Sequence, residues 1–115
     1  MNKKVNPIPA GYHSITPSIV VKDVRKALEF YKKAFGAELA HELCEMPGGK
    51  IGHAEIKIGD SKVMLCDEMP DWGCVSPKGE AASHHLYLYV QDCDRTFTAA
   101  LNAGGKQTMP LSNQF

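Results

Sequence analysis

His53 and Glu55 stand two residues apart in the run Ile51-Gly52-His53-Ala54-Glu55-Ile56-Lys57-Ile58. On a strand, that spacing puts both side chains on one face. If that face lines a cavity, an imidazole beside a carboxylate can move protons near neutral pH, or the two can share a metal ion. The same alternation equally suits a solvent-facing pair beside Lys57. A second candidate is His84-His85 at the start of a later apolar run. Neighbouring strand residues point to opposite faces, so one of the two enters an interior, and His85 is the expected one. His13 and His41 read as surface residues. Cys66 and Cys93 would need a depressed pKa and a nearby histidine to act as nucleophiles, and no spacing supplies that. The chain carries no P-loop, phosphate-cradling glycine loop or nucleophile elbow.

The elements that must position these groups follow from a phrase that occurs twice. A strand ending Val21-Lys22-Asp23 leads into a helix closed by Gly36, and a strand ending Val90-Gln91-Asp92 leads into another closed by Gly104-Gly105. Such internal repetition implies two similar modules. In the first, residues 13–21 form a strand in which Pro17 indicates a sheet edge or a bulge. Asp23 caps a helix whose buried stripe is Val24, Ala27, Leu28, Tyr31, Ala34 and Phe35, and Gly36 stops it. Strands follow at 38–46, 50–58 and 62–67, with turns at Pro47-Gly48-Gly49 and Gly59-Asp60. In the middle strand, Ile51, His53, Glu55 and Lys57 share one face and Gly52, Ala54, Ile56 and Ile58 the other. The expected organisation is an arm at 1–12, a complete βαβββ module at 13–67, a linker at 68–83, and a second module at 84–115. That module holds a strand at 84–91, a helix capped by Asp92 or Asp94, and a strand at 106–111. It is expected to be truncated after this second strand.

Thirteen basic residues balance thirteen acidic ones. Nucleic acid and polybasic membrane contact both need a positive field, so neither is an expected partner. No apolar run approaches the roughly 20 residues that span a bilayer, and the first residues do not form a signal peptide. Cys44, Cys66, Cys74 and Cys93 form no CxxC pair and read as buried free thiols of a cytoplasmic chain.

These phrases resemble the vicinal oxygen chelate superfamily (glyoxalases, bleomycin-resistance proteins and extradiol dioxygenases), and most closely its PhnB-like branch. The resemblance rests on Ile15-Thr16-Pro17-Ser18-Ile19-Val20-Val21-Lys22-Asp23 and on the helix phrase from Ala27 to Ala37. It rests further on Gly52-His53-Ala54-Glu55-Ile56-Lys57-Ile58-Gly59-Asp60, on Tyr89-Val90-Gln91-Asp92-Cys93-Asp94 and on Ala103-Gly104. It covers nearly all of residues 13–115. It implies an α+β fold of paired βαβββ modules, curled around a cavity in which a divalent metal chelates neighbouring oxygens of a small molecule.

Carried over residue by residue, the first-strand ligand position falls at Thr16, its counterpart in the second module at His85, and the last-strand carboxylate position at Leu65. Only His85 is a strong ligand type. The candidate metal ligands are therefore His85, His53 and Glu55, holding Ni, Zn, Mn or Fe if any metal is held. The candidate acid/base pair is Glu55 and His53. Thr16, Leu65, Trp72 and Tyr87 are the candidate pocket residues. Two functions remain open: a metal-dependent glyoxalase-like lyase or isomerase, and a metal-free protein that sequesters a small molecule. A homodimer is the expected assembly.

Overall fold

A computed structural model describes residues 5–79 and 82–113. The fold is α+β. Strand β1 (Ser18–Val21) is followed by helix α1 (Val24–Phe35), then by β2 (Glu38–Leu39), β3 (Cys44–Glu45), β4 (Ile51–Ile58) and β5 (Ser61–Asp67). Among the described residues a 3-10 turn, Pro70–Trp72, and helix α2 (Cys93–Asn102) complete the order of elements. The sheet runs β1-β5-β4-β2, with β3 also on β4. β1 and β5 are parallel and all other pairs antiparallel. Pro17 directly precedes β1, which is an edge strand, and its carbonyl accepts from the Met64 N–H at 2.9 Å.

Helix α1 forms where its signals place it. The Asp23 carboxylate accepts from Lys26 N–H at 3.2 Å, and Gly36 closes the last turn at φ 67°, a conformation open to glycine at little cost. The helix lies on one face of the sheet. Between them Val24 and Ala37 pack with Ile51, Ala54, Ile56, Val63 and Leu65 in a single core, flanked by Ile19, Val21, Leu28 and Tyr31. Asp67 ties three elements at this layer. One carboxylate oxygen accepts from Val24 N–H at 2.8 Å and the other from Ile51 N–H at 2.7 Å.

Several expectations need correction. Simple alternation puts Ile51 on the face of His53 and Glu55, yet Ile51 is fully buried in the core with Ala54 and Ile56. Cys44 opposes His53 while Glu45 opposes Ile51, so Gly52 is an extra residue that switches the alternation by one. A Cβ at Gly52 would come within 2.8 Å of Met46 Cγ, so a larger residue there would make the Met46 side chain move. The expected strand 38–46 is two short pieces. Regular pairing from Cys44–His53 would set Leu39 against Ile58, but it opposes Ile56, and the chain between loops out.

The strands expected at 84–91 and 106–111 are not formed: no described residue hydrogen-bonds with either in a ladder, and a strand without a neighbour is not a strand. Asp92, not Asp94, caps α2, which packs against α1. The cysteines are free but not buried: Cys44 and Cys93 are exposed, Cys66 and Cys74 half-buried. Among the described residues no helix is long and apolar enough to cross a membrane.

Candidate functional site

The sheet face away from α1 carries an isolated polar centre built on Glu55. Glu55 is 8% exposed, on the central strand β4. His53, two residues earlier on the same strand, places Nε2 at 2.9 Å from Glu55 Oε1. Two further groups converge from elsewhere. His41 follows β2, where the Ala40 N–H donates to the Glu55 carbonyl at 2.8 Å, and its Nε2 lies 3.2 Å from Glu55 Oε2. Tyr12 reaches in from the N-terminal arm, donates its hydroxyl to the same oxygen, and stands 3.1 Å from His41 Nε2. A turn closed by the Tyr12 N–H on the Pro9 carbonyl at 3.0 Å shapes the arm for this contact. Lys62 covers the outside, its ammonium 4.3 Å from the centre of the Tyr12 ring.

The Tyr12 hydroxyl, then the His53 N–H, hold the Glu55 carboxyl below its ordinary value of 4.5, outweighing the opposite push of burial. The same hydrogen bond raises the Tyr12 phenol above its ordinary value, which keeps it a donor. Glu55 is thus an ionised acceptor at neutral pH and a poor proton acceptor for chemistry. With an anion facing them, the His41 and His53 Nε2 atoms carry protons, and when neutral each ring leaves Nδ1 outward as an acceptor. A carboxylate whose folded value is depressed stabilises the fold above its unfolded value, and that contribution is lost as pH falls through the folded one. Urea midpoints taken from about pH 6 to about pH 2 should therefore fall more steeply below about pH 4.5 for the native protein than for Glu55→Gln. Parallel curves would show that the carboxylate is not held in this way.

Beside the polar centre lies a cavity of about 730 Å³. It is bounded by the C-terminal end of α1 at Phe35, by Ile58 and Lys62 at the β4–β5 turn, by Thr16, and by Tyr87 and Tyr89. The two tyrosine rings stand 5.2 Å apart at 54°. Lys62 belongs both to this lining and to the cover of Tyr12, so cavity and polar centre meet there. A longer groove of about 900 Å³ runs between the free edge of β1 and residues 82–88.

The sequence profile of the Glyoxalase/Bleomycin resistance protein/Dioxygenase superfamily matches residues 11–115. The chain belongs to this superfamily. An uncharacterized protein of Mycobacterium bovis is 36% identical over 107 residues, covering 88% of this chain and 68% of the relative. An uncharacterized protein of Mycobacterium tuberculosis H37Rv matches at the same identity, and there the chain spans 61% of the relative's length. Among solved structures, a gene product of Arabidopsis thaliana superposes with a TM-score of 0.65 at 23% identity, over 81% of this chain and 74% of that one. TioX from Micromonospora sp. ML1 superposes with a TM-score of 0.57 at 24% identity, over 89% and 79%. At such identities these structures establish the glyoxalase-like fold alone.

Within this superfamily fold, the residues singled out by sequence separate into three places. His53 and Glu55 come together as a hydrogen-bonded pair. Thr16 and Tyr87 share the cavity. The rest lie elsewhere. Leu65, expected in the pocket, is 1% exposed in the core beneath α1, because its odd-numbered position on β5 faces the helix. Trp72 sits 67% exposed on the 3-10 turn and is not part of either cavity lining. His84, rather than His85, turns toward β1 with Leu86 and Leu88, and its Nδ1 meets Ser83 Oγ at 2.7 Å.

His85 makes no hydrogen bond or ion pair with His53 or Glu55. Among the described residues no group of three or more His, Cys, Asp or Glu side chains is placed to hold a metal ion. The donors present do not fit a chelated divalent ion. Tyr12 and His41 are the members that sequence reasoning missed.

Proposed function

We propose that this superfamily member binds a small, ring-bearing organic molecule in the cavity between Phe35, Ile58 and Tyr87. The observation that carries this is the cavity itself. Its volume of about 730 Å³ lies in the range of small-molecule sites, and its lining joins aromatic walls to a few polar groups. Metal-free binding is the form of the family's chemistry that suits a donor set without a chelating cluster. The phrase from Gly52 to Asp60 supports the PhnB-like branch. The four free thiols support a cytoplasmic setting, and the 93% exposure of Tyr89 supports a homodimer.

A second reading, proton transfer, is favoured by one feature: both imidazoles present Nε2 to one ionised carboxylate, which fixes the tautomer that leaves Nδ1 free as a base. Here Glu55 positions and His53 would take the proton, a division of labour known from carboxylate–histidine pairs.

One NMR experiment in deuterated buffer addresses both, with acetophenone and 2-hydroxyacetophenone as probes. Binding is expected to shift the resonances of Phe35, Ile58 and Tyr87 first. Loss of signal from the carbon-bound protons next to the probe's carbonyl, abolished by His53→Gln, would establish proton transfer. If no ring-bearing probe moves the cavity resonances at millimolar concentration, the binding proposal fails.

A further inference from the structure

We propose that the cavity selects an anionic ligand, one whose acid group binds the Lys62 ammonium while its ring packs against Phe35 and Tyr87. The inference rests on the cavity being a ligand site and adds the class of molecule it takes. Lys62 and Asp60 both lie on that lining, but the two form no ion pair. The Lys62 Nζ stands over the Tyr12 ring at 4.3 Å and is 3.5 Å from the Gly11 carbonyl, and among the described residues it forms no ion pair. The acid nearest in sequence, Asp60, accepts instead from the Ser61 hydroxyl at 3.1 Å.

A second, independent observation points the same way. Lys57 on β4 is directly opposite Lys62 on β5, on the sheet face that also carries Glu55. Like charges in register across a strand pair repel, and Lys57 too forms no ion pair among the described residues. The Lys62 ammonium on the cavity lining, with Lys57 behind it across the strand pair, makes a place where an acid group gains a charge-assisted hydrogen bond and relieves the repulsion. Glu55 does not fill this role, because its oxygens are already engaged by Tyr12, His41 and His53.

The test compares naphthoate with its neutral isostere naphthamide at low salt, followed by nitrogen-edited NMR of the native protein, Lys62→Gln and Lys62→Arg. The native protein should prefer the acid by about tenfold or more, with the Tyr12 ring resonances moving as Lys62 leaves them. Added salt should erode the preference. Lys62→Arg should keep it and Lys62→Gln should lose it, with each variant's dispersed spectrum showing that it is folded. Equal affinity for the two probes, or a preference that survives in Lys62→Gln, overturns the anion inference and leaves the cavity a ligand site. Failure of both probes to bind overturns the ligand site and this inference with it.

Discussion

Asp67→Ala is expected to lower the unfolding free energy by about 2–6 kcal/mol, because it strips the acceptor from two buried backbone N–H groups at about 1–3 kcal/mol each. Val24 and Ile51 are both fully buried, so water cannot replace the lost carboxylate. These two residues begin α1 and β4, and Asp67 ends β5. One side chain therefore fixes where the helix starts on the sheet. Asp67→Asn should recover less than half of the loss, since its amide nitrogen turns a donor toward one of the two N–H groups. Urea midpoints at neutral pH measure both variants. A change below about 0.5 kcal/mol for Asp67→Ala, the level of an ordinary surface substitution, would show that this three-way tie carries no stability.

Leu65→Ala should cost about 2–5 kcal/mol, the range for truncating a buried leucine whose surroundings collapse only in part. Leu65 is 1% exposed and packs with Ile56, Val63 and Val24. Its neighbours are set by strand pairing on both sides, Ile19 in β1 and Ala54 in β4, so the backbone has little freedom to close the void. Tyr87→Ala is the useful contrast. At 78% exposure on the cavity rim it should change stability by no more than about 0.5 kcal/mol while weakening probe binding. The two variants thus separate what holds the fold from what faces a ligand. If Leu65→Ala were harmless and altered binding instead, the pocket role expected from the sequence would stand.

Much of the first module was legible because its signals are local. Asp23, the apolar stripe of α1 and Gly36 act within a few residues of one another, so the helix could be read to its ends. The hairpin of β4 and β5 was readable for the same reason, turning at Gly59. What escaped depends on contacts between distant residues. His41 and Tyr12 meet Glu55 only through the register of β2 on β4 and the path of the arm, and the loop between β2 and β3 breaks the regular count that would have linked them. The one available signal was a tyrosine and a histidine near a strand bearing His53 and Glu55. The strands of the second module failed for a related reason: alternation around Tyr87 and Tyr89 marks a sequence fit for a strand but cannot supply the neighbour that makes one.

The extra residue at Gly52 has a consequence for comparing this chain with its relatives. Removing that residue would exchange the surface of β4 that meets the helix for the surface that carries Glu55, and an alignment that omits it shifts every later position of the strand by one. A relative aligned without attention to that glycine would then show an apolar residue where an acid belongs, and its site would be judged lost when it had only been miscounted.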